Sequence, residues 1–172
     1  PDGCWLGCTM SCSHGVDGHP IQTGPYAGQK VLVDGPEYEN AAGLGSNIGN
    51  FDPEIVLELN FYCDTYGVDT ISYANAAAFA MECYEAGIIT KEDTGGLELN
   101  FGNGWAAVEM LHHMAQGEGF GVIVGQGVKY MKEYFAKEFG GDPKFMHDIG
   151  MEIKGMEISE YGTKESIAQQ GG

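Results

Sequence analysis

The chain has 172 residues and a formal net charge of −17, with 25 acidic against 8 basic side chains. That length supports a domain with a real core. The charge balance disfavours nucleic acid, whose phosphates need clustered Lys and Arg, and reads first as a solubility device. No apolar run reaches the ~18 residues of a membrane span, and no stretch reads as a signal peptide, so no membrane partner is expected.

Residues 1–35 are rich in Gly, Cys and turn formers and read as an irregular loop region, with a short extended pair near Lys30–Val33. Gly35-Pro36-Glu37 then opens a helical segment to about Ile48. Asp52-Pro53-Glu54 supplies an N-cap, a Pro at the first helical position and an early acid. Ile55, Val56, Leu59 and Tyr62 follow at helical spacing until Gly67 stops them. Asp69-Thr70 starts a further helix carrying Ile71, Ala74, Ala78, Met81 and Cys83, ended by Gly87. Thr90–Gly96 is a charged connection, a helix begins near Gly104, and Gly117–Gly121 breaks the chain before a helix from about Val122 to Phe139. The tail from Asp142 is less regular. No alternating stretch is long enough to build a sheet, and Ala, Met, Glu and Leu outweigh Val and Thr. The expected class is therefore all-α, a multi-helical domain with an irregular Cys/Gly-rich N-terminal loop region.

The opening reads Cys4-Trp-Leu-Gly-Cys8-Thr-Met-Ser-Cys12. Three soft thiolates within one tight loop suit an iron–sulfur cluster, with a fourth ligand from elsewhere. Five cysteines in all is an odd number, which fits a secreted disulfide framework poorly and a reducing, cytoplasmic setting well. Buried thiols are the plain alternative. Zinc usually pairs two knuckles, and only one cluster is present. The spacing is one residue too long for a radical enzyme that cleaves S-adenosylmethionine. Cys63 and Cys83 sit on helices and read as core thiols. His14 and His19 read as loop residues, and His112-His113 as helix residues that cannot share a face.

Glu37 and Glu39 flank Tyr38 and, on a helix, point to different sides. First-turn acids favoured by the helix dipole and a general base with a Tyr neighbour are both open readings. Asp64-Thr-Tyr-Gly67-Val-Asp69 lies between two expected helices. Capping explains Gly67 and Asp69. Two carboxylates on one turn would also match, in bidentate fashion, the N–H and NH2 edge of a pterin. Gly117–Gly121 and Gly125-Gln126-Gly127 lack a preceding strand and read as a turn, not a phosphate loop.

Taken in order, several blocks resemble the tungsten-containing aldehyde:ferredoxin oxidoreductases: the Cys4/Cys8/Cys12 cluster, GPEYENAAGLGSNIGNFD at 35–52, CDTYGVDTISYANAAAFAMECYEAGII at 63–89, LNFGNGWAAVEML at 99–111 and IKGMEISEY at 153–161. The resemblance implies a tungsten bis-pterin and a [4Fe–4S] cluster. It implies oxidation of aldehydes to carboxylates in anaerobes, with ferredoxin or another electron-transfer subunit as partner. It assigns Cys4, Cys8 and Cys12 to the cluster and Asp64, Gly67 and Asp69 to a pterin. Glu39, with Tyr38 or Glu37, falls beside the substrate. It also divides the chain into a cysteine loop region at 1–35, a multi-helical pterin-contacting domain at 36–158 and the truncated start of a following domain at 159–172.

Two departures stand out. The family's usual cysteine spacing is C-x-x-C-x-x-x-C, whereas the first gap here holds three residues. The tail SEYGTKESIAQQGG resembles the tungsten subunit of class II benzoyl-coenzyme A reductases, which would make an aromatic thioester the substrate in place of a small aldehyde. A helical iron–sulfur electron-transfer module without tungsten is the third reading. The ends, Pro1 and Gly171-Gly172, read as cut points. On the family's plan a β-rich pterin-binding domain would precede this stretch. A second Asp-x-x-Gly-x-Cys motif and a catalytic His would follow it. The isolated chain is therefore expected to be inactive, to bind no tungsten and to hold a labile cluster at best. Oligomeric state stays open.

Overall fold

The computed structural model describes residue 3 and residues 6–161. Cys4, the first of the three expected cluster cysteines, lies outside the described residues. Helices dominate: α1 (Tyr38–Gly43), α2 (Pro53–Tyr66), α3 (Thr70–Glu85), α4 (Gly104–Gln116), α5 (Gly121–Val124), α6 (Gly127–Glu138) and α7 (Pro143–Ile149). Two antiparallel hairpins accompany them, β1 (Val16–Pro20) with β2 (Lys30–Val33) and β3 (Glu152–Ile153) with β4 (Met156–Glu157). The extended stretch at 30–33 is thus paired, through an irregular register between Val16 and His19, with a strand that the loop reading of residues 1–35 did not distinguish.

The α2 and α3 boundaries follow the local chemistry. Asp52 accepts the Glu54 N–H ahead of Pro53, and Gly67 at φ 68° closes α2 in the left-handed region, where glycine carries no Cβ penalty. Asp69 accepts the Ser72 N–H and starts α3. That helix is the centre of the packing and touches α1, α2, α5, α6 and β4. Its buried Ala74, Ala76, Ala77 and Ala80 let neighbours approach closely. Leu59 and Tyr62 from α2, Val108 and Leu111 from α4, and Met131 and Phe135 from α6 complete one core. Phe79 stacks on Phe135 at 5.8 Å between centroids. Each such fully buried apolar side chain contributes roughly 1.5–3 kcal/mol relative to exposure.

Two expected helices differ in detail. The segment after Gly35 forms only α1 and a 3-10 turn at Ser46–Ile48. Asn50 Nδ2 donates to the Leu44 carbonyl at 3.2 Å, which ends the helical run with a side-chain bond. The helix expected over 122–139 divides into α5 and α6. Gly127 takes φ +81°, and the Val128 N–H turns to Glu157 Oε1 at 2.8 Å, a partner on β4. At Gly121 a Cβ would stand 2.2 Å from the Met114 nitrogen, so only glycine lets α5 lie against α4. Among the described residues no helix is long and apolar enough to cross a membrane.

Candidate functional site

α1 carries the carboxylate that the family resemblance implies lies near a substrate. Glu37 occupies the N-cap position, Tyr38 is exposed and Glu39 is buried at 9% exposure. Glu39 Oε2 accepts the Glu160 N–H at 2.8 Å. Burial pushes its carboxyl above the ordinary value, that bond opposes the rise, and Glu37 adds to it. Tyr161 lies against Tyr38, with ring centroids 5.0 Å apart. Burial, then the charges of Glu39 and Cys12, raise its phenol. Cys8 and Cys12 are both half-buried.

The turn that joins α2 to α3 carries Asp64, Gly67 and Asp69. Both acids are exposed. Asp69 Oδ1 serves the cap, at 2.7 Å from the Ser72 nitrogen. Asp64 takes no part in capping α3. Its Oδ2 accepts from Asn60 Nδ2 at 3.2 Å, and burial together with Asp34 raises its carboxyl above the ordinary range. The capping reading thus accounts for Asp69 and Gly67 and leaves the Asp64 side chain unexplained by helix termination. An open cavity of about 430 Å3 lies beside this turn, between Asp69, Ser72 and Tyr73 on one side and Gly121, Gly125 and Gly127 on the other.

Side-chain amides link the two places. Asn40 on α1 donates to the Gly35 carbonyl at 2.8 Å and to Asn60 Oδ1 at 2.6 Å, and it accepts from Thr70 Oγ1 at 2.6 Å. Asn60 passes its own amide hydrogens to the Asp34 carbonyl and to Asp64. The Gly35 N–H in turn donates to the His14 carbonyl at 3.2 Å, two residues from Cys12. The end of the cysteine loop, the start of α1 and the Asp64 turn are thus joined by one short path of hydrogen bonds. Among the described residues no group of three or more His, Cys, Asp or Glu stands close enough to hold a metal ion.

Several residues of this region were not singled out from sequence. Glu160 reaches α1 from the tail. Glu58 is fully buried on α2 and accepts from the Gln22 N–H, the Thr23 N–H and Thr23 Oγ1, the last at 2.6 Å. Because that hydroxyl gives its only proton to Glu58, His112 Nε2 must donate to Thr23 Oγ1 at 2.9 Å. His112 Nδ1 then accepts from Tyr66 OH at 2.8 Å. Burial holds the His112 imidazole below its ordinary value, consistent with a neutral ring of that tautomer. Tyr66 is the last residue of α2, so this chain of bonds runs from a buried carboxylate to the edge of the Asp64–Asp69 turn. His19, read as a loop residue, is a buried strand residue. Its Nδ1 is 3.3 Å from Glu54, and its Nε2 is 4.0 Å from Glu58, with no hydrogen-bond partner among the described residues. Cys63 and Cys83 are fully buried core thiols, as their helical placement indicated.

The sequence profile for aldehyde ferredoxin oxidoreductase, domains 2 and 3, matches residues 1–171. A Pyrococcus horikoshii protein named tungsten-containing aldehyde ferredoxin oxidoreductase is 42% identical over 135 residues, 77% of this chain and 21% of that protein. A Pyrococcus abyssi protein of the same name is 40% identical over 135 residues, with the same coverage. A Pyrococcus furiosus protein named aliphatic sulfonate oxidoreductase, WOR-like subunit, is 33% identical over 165 residues, 96% of this chain and 24% of that protein. The chain thus spans a quarter or less of the length of these curated relatives.

Proposed function

This chain belongs to the aldehyde ferredoxin oxidoreductase family, and on that footing we propose that it forms the helical, base-bearing part of a tungstopterin oxidoreductase that converts aldehydes to carboxylates and hands electrons to ferredoxin. The observation that carries the reading is Glu39, a carboxyl drawn out of water and raised by burial, at the start of a helix whose Asn40 is tied by hydrogen bonds to the Asp64 turn. A base that works near neutral pH needs such an environment.

The residues present fit the groups such an enzyme uses. Asp64 and Asp69 are exposed acceptors, each engaged through one oxygen in the bonds described, and a pterin edge offers N–H donors to match. Cys8 and Cys12 are the right chemistry for iron, with Cys4 as the third thiolate. When bound, the tungsten centre supplies the two-electron redox chemistry and the cluster carries electrons away. This chain's own part is to hold one pterin through Asp64, Gly67 and Asp69, to ligate the cluster, and to take the substrate's proton on Glu39. Tyr38 and Glu37 border that carboxylate. Residues 1–35 then act as the cluster loop, 36–158 as the pterin-contacting domain and 159–172 as the entry to the next domain.

The test is Glu39→Gln in a tungsten-loaded enzyme that contains this stretch. Loss of a general base costs about 10²–10⁴ in kcat, so turnover should fall by that factor while tungsten content, measured by elemental analysis, stays unchanged. Undiminished turnover would sink the assignment. Assaying small aldehydes beside an aromatic coenzyme A thioester and an aliphatic sulfonate separates aldehyde oxidation from ring reduction and from the activity named for the P. furiosus relative.

A further inference from the structure

The segment after β4 returns to α1 and closes over Glu39. Four bonds fix it there. Asn75 Nδ2 donates to the Ile158 carbonyl at 3.0 Å and to Glu160 Oε1 at 3.2 Å. Asn47 Nδ2 donates to the same Glu160 oxygen at 3.1 Å. Tyr38 OH donates to the Glu160 carbonyl at 2.9 Å. Glu160 is thereby held by both its side chain and its backbone, and what it presents to Glu39 is its N–H.

We propose that Glu160 is the positioning residue for Glu39: its carboxylate, clipped by Asn47 and Asn75, locks residues 158–161 in place so that its own N–H grips one oxygen of the Glu39 carboxylate. The inference rests on reading Glu39 as the base and goes beyond it by assigning a role to a residue 121 positions away.

The strap acts on Glu39 in two opposed ways. Its cover disfavours the ionised carboxylate by burial, whereas its backbone N–H favours that form. An apolar residue at 160 would leave Asn47 and Asn75 without their shared acceptor. A glutamine would keep an acceptor and remove the charge. The titratable groups that face Glu39 are Glu37 ahead of α1, Tyr38 within it, and Glu160 and Tyr161 from the tail. α3 and the Ser46–Ile48 turn face the pair with amides, Asn75 and Asn47. Burial raises the Glu160 carboxyl, and the charge of Glu39 raises it further.

The test is carboxyl NMR on the chain labelled with 13C-glutamate, using Glu39→Gln to assign the Glu39 signal and a thermal melt to check each variant's fold. Asn47→Ala with Asn75→Ala frees the strap, so the Glu39 titration should move as its N–H partner and its cover are lost together. Glu160→Gln keeps an oxygen for both amides and so keeps the strap and its N–H in place, and the Glu39 titration should stay near the parent's. If the double variant does not fold, Asn75→Ala alone should give the shift in smaller measure. An unmoved titration in the double variant, or an equal displacement in Glu160→Gln, would overturn the proposal. In the loaded enzyme, the double variant should shift the acid limb of the kcat profile in the same sense as its NMR titration with KM held, and Glu160→Gln should not. Full turnover in Glu39→Gln would instead sink the base assignment, while the NMR titrations would still decide the positioning role by themselves.

Discussion

Glu39 is expensive to the fold in the form its proposed chemistry requires. A carboxyl raised by folding binds its proton more tightly in the folded than in the unfolded chain. The penalty is complete above the folded value, shrinks as pH falls through it, and vanishes below the ordinary 4.5. Glu39→Gln should therefore be more stable than the parent sequence near neutrality, with the gap closing as pH approaches 4.5; urea midpoints across that range measure it. His112 works in the opposite sense. Its imidazole is held below the ordinary 6.5 by burial, so the unfolded chain takes up the proton more readily. Stability should fall as pH drops below 6.5, and His112→Gln should flatten that part of the pH–stability curve. Close by, Gly24 sits at φ +63°, where a Cβ would stand 2.5 Å from His112 Cε1 and 2.6 Å from Tyr62 OH. Gly24→Ala combines a left-handed backbone with this overlap and should cost more than about 1 kcal/mol, read from thermal or urea melts.

At the scale of elements, three helices begin with the same device: Asp52, Asp69 and Asp142 each accept an N–H of the first turn. Two were legible because an apolar 3.6-residue pattern followed them. The Asp142-Pro143 start has the same chemistry, but α7 is only seven residues long and buries a single residue, Met146, too little periodicity to register. The α5–α6 break was missed because its cause lies elsewhere: the amide that leaves the helix finds Glu157, 29 positions downstream. The double use proposed for Asp69 is testable here. Asp69→Asn keeps a capping oxygen and should melt close to the parent, whereas Asp69→Ala should lose about 1 kcal/mol. If Asp69 also holds a pterin, the asparagine variant of the loaded enzyme should lose cofactor, by elemental analysis, without losing helix.

Across the whole molecule, what sequence spacing shows and what it hides divide by distance along the chain. The helices, the 30–33 strand, the core thiols and the caps are local, and their signals sit within a few residues of the feature. Glu58 with Thr23 and His112, and Glu39 with Glu160, are brought together only by packing, so no spacing announces them. On the surface, Leu6, Met10 and Phe51 are large apolar side chains left exposed at 109%, 76% and 83%. On the proposed function, the chain produced alone should bind the dye ANS more strongly, per mole, than a tungsten-loaded enzyme that contains this stretch. Equal fluorescence would argue that these side chains contact nothing further.

The Glu39–Glu160 bond also sets an order of assembly. Closing a loop of 121 residues costs on the order of 4 kcal/mol in chain entropy, so this contact should form after the helices have docked. During vectorial synthesis α1 leaves the ribosome long before its partner does. The proposed base is then present but unaimed until nearly the last of the described residues has been made. Amide hydrogen exchange at Glu160 should accordingly be among the first protections lost when the native state opens part-way.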